Sequence, residues 1–214
     1  MKEPLADILW DKKEYFSKGK RGLIFVSTYK NKKFVLKTKN PSSAIDTIEN
    51  EALFNKKLNI IGVGPKFYFF HPKKFFLVRE KIEGENICKW LSLDVSEKNK
   101  KFKKIALNLL EQCRKMDLAG INKQELTHPD KDIIIDKKGV PWIIDFERCR
   151  STNKPHNVNQ ICQFLTRRDI INSVKVKFSS EDKLNLRKHL SDYKKDLNEN
   201  NYVKIRTMIS RIFS

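Results

Sequence analysis

An aspartate ends an apolar run in the segment VPWIIDFERCR, which covers residues 140–150. The apolar residues up to Ile144 suit a buried strand, and Asp145 then places an ionisable group at the end of that strand. A carboxylate in this position costs free energy unless a cation or a hydrogen-bond donor pairs with it. The sequence therefore predicts that a cation or a donor lies beside Asp145.

A lysine and a glutamate earlier in the chain are the next residues whose spacing suggests chemistry. Lys37 follows an apolar run in the strand-like stretch KFVLKTK, and Glu51 comes 14 residues later. Glu51 lies at the edge of the apolar face that Ile48 and Ala52 form at helical spacing, so it can point inward. Glu49 is the alternative partner of Lys37, and the apolar face favours Glu51.

The elements that must position these residues change in character along the chain. Residues 15–38 and 66–80 alternate or run apolar over short stretches, which predicts strands. Between them, PSSAIDTIENEALFNKKLN has helical spacing, and its Pro41-Ser42-Ser43 start is typical of a helix N-terminus. The first 80 or so residues are therefore predicted to form a sheet with one helix packed on it.

The remainder of the chain is predicted to be mainly helical. The stretch KFKKIALNLLEQCRKMDLAG has one apolar face and ends at Gly120, and the segments from about residue 157 onward are helical again. Two short strands, DIIID and VPWIID, flank a hairpin turn at residues 137–139. The predicted fold class is α+β, with an N-terminal β-rich unit over residues 1–81 and a C-terminal unit over residues 82–214.

This order of elements and acids resembles a protein kinase over about residues 15–166, and is most similar to the small atypical serine/threonine kinases of archaea, relatives of the RIO kinases and of the KEOPS-complex kinase. The resemblance implies a bilobal fold, ATP and Mg²⁺ as cofactors, and phosphorylation of protein Ser/Thr hydroxyls, including autophosphorylation. Several members act in ribosome or tRNA-modification assemblies, so an RNA-associated assembly is an implied partner beside an unidentified protein substrate.

The resemblance also implies a role for each matching residue. Lys37 would hold the α- and β-phosphates of ATP, Glu51 would pair with Lys37, and Asp145 would bind Mg²⁺. Phe146 follows Asp145 as in the family, whereas Glu147 replaces the usual glycine, which restricts the backbone there. The segment after it is also short, so regulation by a long phosphorylated loop is not expected.

Two backbone segments would bind the rest of the nucleotide in the same resemblance. Gly19 and Gly22 in SKGKRGLIFVSTY would bring backbone N–H groups close to phosphate. Backbone groups of Glu80 and Ile82 in FFLVREKIEG would bond to adenine. Arg79 departs from the family, because kinases usually have an apolar or small residue at that position.

The catalytic loop, NKQELTHPDKDIII, allows two alignments. Asp130 matches the kinase H-R-D aspartate, but it leaves only two residues before the strand that begins at Ile133. Glu125 leaves a loop two residues longer than usual, with Asp132 as the second metal ligand. Glu125 is therefore the preferred catalytic acid and Asp130 the alternative.

Composition sets wider bounds on function. The 214-residue chain is 39% hydrophobic and carries a net charge of +19, with its lysines spread along the whole length. A solvated basic surface is the favoured interpretation, and nucleic-acid binding is the second. The four cysteines are far apart, which favours reduced thiols in a cytoplasm, and no zinc-type cluster or membrane-spanning apolar run is present in the sequence.

Two other functional classes remain open at this level. One is a kinase of the same fold that phosphorylates a small molecule such as a sugar or a lipid-core hydroxyl. The other is a non-catalytic ATP-binding module, in which Glu125 and Glu147 mark lost catalysis and the basic surface binds RNA or a partner protein.

Overall fold

The computed structural model describes residues 3–214, which form an α+β fold with a five-stranded antiparallel sheet and eight helices in that part of the chain. The residues form two compact units. The first contains the chain up to Ile82 together with Asp145–Cys149, and the second contains Glu83–Ile144 and Arg150–Ser214. The prediction had assigned residues 145–149 to the C-terminal unit, whereas their contacts group them with the first.

The first unit is built on a sheet of five strands. These are β1 (Glu14–Lys18), β2 (Gly22–Tyr29), β3 (Lys32–Lys39), β4 (Phe67–His71) and β5 (Phe76–Glu80). Their spatial order is β1-β2-β3-β5-β4, and each neighbouring pair is antiparallel. The two-residue turn between β2 and β3 has positive φ at Lys30 and Asn31, which matches the twist of a hairpin.

Two helices cover the sheet of the first unit, one on each face. Helix α1 (Glu3–Asp11) buries Ala6 and Leu9 against a cluster from β3, β4 and β5. Helix α2 (Ile48–Ile60) packs Ile48 and Ala52 against Leu77 of β5. The prediction of one helix in this region was wrong, because α1 covers the second face. Lys37 and Leu77 are directly opposite in the β3–β5 register and share the face of α2.

Helix α2 also begins later than the sequence predicted. Residues 41–47 form turns, because side chains bond to the local backbone in place of a helical ladder. The Ser43 hydroxyl bonds both the N–H and the C=O of Ile45, and the Asp46 carboxylate accepts the N–H of Ile48. The later start leaves Ile45 exposed and keeps Glu51 in the first turn of the helix.

The second unit is mainly helical. Its elements are β6 (Gly84–Asn86), α3 (Ile87–Ser92), α4 (Lys98–Leu118), β7 (Ile121–Lys123), β8 (Ile133–Asp136), β9 (Pro141–Ile143), α5 (Asn157–Leu165), α6 (Arg168–Ser173), α7 (Ser180–Lys195) and α8 (Glu199–Ile212). Strand β10 (Cys149–Ser151) begins at Cys149 of the first unit, and its other two residues belong to the second. Strands β8 and β9 form the predicted antiparallel hairpin, which β6 extends, and β10 pairs with β7.

A buried carboxylate joins helices of the second unit. Asp117, near the end of α4, accepts the backbone N–H groups of Asn157 and Val158 at the start of α5. It also accepts the Tyr193 hydroxyl of α7. Burial raises the pKa of Asp117, and these donors oppose that rise.

No helix within residues 3–214 has the length and apolar character needed to cross a bilayer.

Candidate functional site

The Lys37 ammonium lies among three carboxylates of the first unit. Its Nζ atom is 2.7 Å from Glu51 Oε2, 3.0 Å from Asp145 Oδ1 and 3.1 Å from Glu147 Oε2. Lys37 and Glu51 are almost fully buried, at 4% and 0% exposure. The acid that α2 presents to the lysine is therefore Glu51, whereas Glu49 is exposed. The partner that Asp145 requires at its strand end is this ammonium.

Local backbone geometry positions the Lys37 and Asp145 side chains. The Lys37 side chain crosses Gly22, where an added Cβ atom would lie 2.7 Å from Lys37 Cε, so a larger residue at this position would require the lysine side chain to shift. Asp145 has a φ of +61°, a left-handed conformation that costs most non-glycine residues free energy. This sharp turn directly after Ile144 ends the apolar run and directs the Asp145 carboxylate toward Lys37.

Electrostatics hold the lysine in its charged form. Burial alone would lower the pKa of Lys37, but the carboxylates of Glu51, Asp145 and Glu147 outweigh it, so the pKa lies well above its usual value. Burial raises the pKa of Glu51 against the attraction of the lysine. The three acids and one ammonium form a compact cluster of opposite charges, with Lys37 and Glu51 buried and Asp145 partly exposed.

Glu147 makes more contacts than the sequence had suggested. Its Oε1 atom accepts a hydrogen bond from Arg21 Nη1 at 3.0 Å. Its Oε2 atom accepts hydrogen bonds from the Thr47 hydroxyl at 3.3 Å and from Lys37 Nζ at 3.1 Å. Its backbone C=O accepts the side-chain amide of Asn50 at 3.0 Å. Sequence reasoning treated Glu147 only as a missing glycine. Arg21 directly before Gly22 was the available signal for a second cation at this acid.

The turn that contains Gly19 uses the N–H of that glycine in a bond of its own. The Gly19 N–H donates to the Gly22 C=O at 2.8 Å, which closes a tight turn between β1 and β2. The buried Asn40 amide donates to the C=O groups of Gly19 and Lys20 and fixes the turn further. To donate to phosphate, the Gly19 N–H would have to give up this bond to Gly22, and the phosphate-binding role of the two glycines stays a prediction.

The predicted adenine-binding edge contains a buried arginine. The Glu80 N–H donates to the Lys66 C=O within the sheet, while the Glu80 C=O accepts Arg79 Nη1 at a long 3.4 Å. Arg79 is only 6% exposed, and its Nε atom has no hydrogen-bond partner among the described residues. Burial lowers the pKa of Arg79, opposed by Glu51 and Asp145. Ile82 follows the last strand of the unit, outside the sheet.

The same three acids are the group among residues 3–214 whose carboxylate oxygens come close enough together to hold a metal ion. Oxygen atoms of Glu51, Asp145 and Glu147 all lie within 4.8 Å of one another. Carboxylate oxygens suit Mg²⁺ chemically. However, the Lys37 ammonium contacts all three acids, so a metal fits here only after the lysine exchanges some of these contacts for another anion.

The catalytic-loop candidates belong to the second unit. Glu125 has an exposed side chain in a turn and a φ of +71°. Asp130 accepts the Cys88 thiol at 3.1 Å and pairs with Arg167 at 3.2 Å. Asp132 pairs with the buried Lys123 ammonium at 2.7 Å. The catalytic role of Glu125 or Asp130 and the metal-binding role of Asp132 stay predictions.

No protein-family model matches the chain, and no curated protein matches it.

Proposed function

We propose that this protein is a phosphotransferase of the protein-kinase-like class, with the bilobal fold of that class, and that it transfers phosphate from Mg·ATP to a hydroxyl group. The observation that carries the proposal is the contact of Lys37 with Glu51 and Asp145. These residues come from a strand, a helix and a strand end, and Lys37 and Asp145 are 108 residues apart in sequence. A buried lysine held by a helix glutamate is the arrangement that positions nucleotide phosphates.

Each member of the cluster has a defined task in this proposal. Lys37 binds phosphate oxygens of the nucleotide, and its raised pKa keeps it cationic at any physiological pH. Glu51 orients the lysine at 2.7 Å, so the ammonium is in place before the nucleotide arrives. Asp145 would hold the Mg²⁺ ion, which when bound neutralises charge on the phosphates.

Thermal unfolding tests the proposal directly. A ligand that binds only the folded state raises its melting temperature, so Mg·ATP at 100 times its Kd should stabilise the protein by about 2.7 kcal/mol. Lys37→Met should abolish the shift, whereas Lys39→Met, two residues further along β3 and less buried, should retain it. An unchanged melting temperature of the native protein at saturating Mg·ATP would refute the proposal.

The proposed acceptor is a Ser or Thr hydroxyl of protein, including the chain itself. One observation favours a small-molecule acceptor as the second candidate. The segment between Asp145 and α5 is taken up by strand β10 and by the Thr152 N–H bond to the Gly120 C=O, which leaves little chain for docking a peptide. Radiolabelled ATP incubated with generic protein, with sugars and with buffer alone separates the two acceptors, and absence of any transfer would indicate an ATP-binding module without catalysis.

A further inference from the structure

The Glu147 carboxylate connects two cations and a hydroxyl within the first unit. Its Oε1 atom contacts Arg21 at 3.0 Å, and its Oε2 atom contacts Lys37 at 3.1 Å and the Thr47 hydroxyl at 3.3 Å. The side chains of Arg21 and Glu147 are each 15% exposed, and that of Lys37 is 5% exposed. One partly buried anion thus satisfies donors from the β1–β2 turn, from β3 and from the residue before α2.

We propose that Arg21, Lys37 and Thr47 form a phosphate site, and that the Glu147 carboxylate occupies it in the resting protein as an internal competitor. This inference deepens the proposed function and rests on it for the identity of the natural ligand. A phosphate group arriving at the site displaces Glu147 and takes over its three donors.

The donor set is the reason for assigning phosphate as the ligand. A guanidinium, an ammonium and a hydroxyl are the side-chain groups that bind phosphoryl oxygens, and arginine prefers the planar, two-oxygen contact that carboxylates and phosphates share. A carboxylate has two oxygens and one negative charge, whereas a terminal phosphate has three oxygens and close to two charges. Phosphate can therefore match every contact of Glu147 and has an oxygen to spare.

Competition has a consequence that a purely structural role lacks. Suppose that Glu147 has only a structural role and connects α2 to the segment Asp145–Cys149. Glu147→Gln would then bind any ligand with the same affinity as the native protein or more weakly. If Glu147 competes with phosphate, the neutral glutamine removes the anion that Arg21 and Lys37 share, and Lys37 keeps only Glu51 and Asp145. Affinity for polyphosphate then rises even though a native ion pair has been removed.

Titration calorimetry with inorganic pyrophosphate and tripolyphosphate, with and without Mg²⁺, tests the proposal on the full chain. We expect Glu147→Gln to bind both anions about tenfold more tightly, within the 5- to 150-fold range typical of coupling between sites. Adenosine, which has no phosphate, should show no change. The matched control is Glu49→Gln, which removes the same charge from an exposed position on α2 and should leave anion binding unaltered.

A second pair of variants keeps the test decisive if Glu147→Gln folds poorly. Arg21→Gln should weaken tripolyphosphate binding about tenfold, whereas Lys20→Gln removes an exposed charge from the same turn and should have little effect. Equal effects of Arg21→Gln and Lys20→Gln, or unchanged or weaker anion binding by well-folded Glu147→Gln, would overturn the inference. ATP bound no more tightly than tripolyphosphate would instead refute the proposed nucleotide function and leave the phosphate site standing.

Discussion

At the scale of single residues, Lys37 determines whether three carboxylates can share one small volume. Its ammonium contacts oxygen atoms of Glu51, Asp145 and Glu147 that lie within 4.8 Å of one another. Removing one partner of a buried ion pair typically costs about 3–5 kcal/mol, because the remaining charge is left without compensation. We therefore expect Lys37→Met to lower the free energy of unfolding by about this amount near neutral pH, as measured by urea denaturation.

The pH dependence of that loss is specific to the cluster. In the native protein the pKa of Lys37 is raised above the usual lysine value. The ammonium therefore contributes its full stabilisation below the usual lysine pKa, and this contribution is lost only as the pH rises through the raised pKa of the folded state. In Lys37→Met, Glu51 loses the attraction of the lysine, while burial and Asp145 still raise its pKa, so stability should recover as the pH falls from 7 toward the usual range of a glutamate. Lys39→Met is the control, and a pH-independent loss in Lys37→Met would contradict the electrostatic explanation.

Arg79 leads to the opposite expectation for stability. Its guanidinium is buried, its described hydrogen bond to the Glu80 C=O is 3.4 Å long, and its Nε atom has no partner among the described residues. An unsatisfied buried donor costs about 1–3 kcal/mol. Arg79→Met fills a similar volume without polar atoms, so we expect it to raise the free energy of unfolding by about 1 kcal/mol.

Urea denaturation of Arg79→Met measures this change in the free energy of unfolding. The control is Arg148→Met, which removes the same charge from a partly exposed position of the same unit. A loss of stability specific to Arg79→Met would mean that the attraction of Arg79 for Glu51 and Asp145 outweighs its unsatisfied donor.

Individual residues were predictable from sequence where a periodic pattern constrained them. Glu51 lies beside the apolar face of α2, and Asp145 interrupts an apolar run, so both could be found without a structure. Arg21 and Thr47 lie in turns, where no periodicity indicates the direction of a side chain. Their contacts with Glu147 span 126 and 100 residues of sequence, and only the folded chain brings them together.

At the scale of elements, the sequence predicted strands and long helices better than the points where helices begin. The β8–β9 hairpin was predicted because its turn residues separate two apolar runs. The start of α2 was placed too early, since Ser43 and Asp46 can cap a helix or bond a local turn equally well. Helix α1 was missed because acids and bases are mixed into its short apolar pattern.

The proposed catalytic loop between β7 and β8 is the element whose alignment an experiment can decide. If Glu125 orients the acceptor hydroxyl, Glu125→Gln should reduce phosphotransfer by about 10²–10⁴-fold while ATP binding persists. Asp130→Asn should retain most activity, because Asp130 pairs with Arg167 and accepts the Cys88 thiol as a structural group. Asp145→Asn should instead weaken binding of the metal and the nucleotide together.

Radiolabel transfer and calorimetric ATP binding, measured on the same three variants, distinguish these roles. An inactive Asp130→Asn beside an active Glu125→Gln would mean that the other alignment of the loop is correct. Full activity in all three would exclude this loop and Asp145 from the reaction.

At the scale of the whole molecule, the positive charge is distributed rather than confined to the site. The net charge is +19, and the excess of Lys and Arg over Asp and Glu is about equal in the two units. In the second unit, Lys101, Lys104, Lys137 and Lys138 line a hollow of about 330 Å³ together with Asp136, beside the buried Trp90. We call it the basic hollow. Clustered lysines are the groups that contact the phosphates of nucleic acids.

If RNA is a partner, the basic hollow should contribute more to binding than charge elsewhere on the surface. We expect single-stranded RNA to be retained at low ionic strength, with an affinity that falls steeply as salt rises. The double variant Lys101→Glu and Lys104→Glu should weaken RNA binding. It should also reduce the slope of the logarithm of the binding constant against the logarithm of the salt concentration by about 1.5, because each lost phosphate contact removes about 0.7–0.9 from that slope. Filter binding over a series of salt concentrations measures both quantities.

The matched control for the basic hollow is Lys188→Glu with Lys195→Glu, which makes the same change in net charge on exposed positions of α7. Equal losses in the two double variants would mean that RNA responds to the total charge of the protein, because long-range attraction does not depend on where a lysine lies. Absence of RNA retention even at low salt would make the lysines a solvated surface. A selective loss in the hollow would instead place an RNA contact in the second unit, on residues separate from the Lys37 cluster of the first.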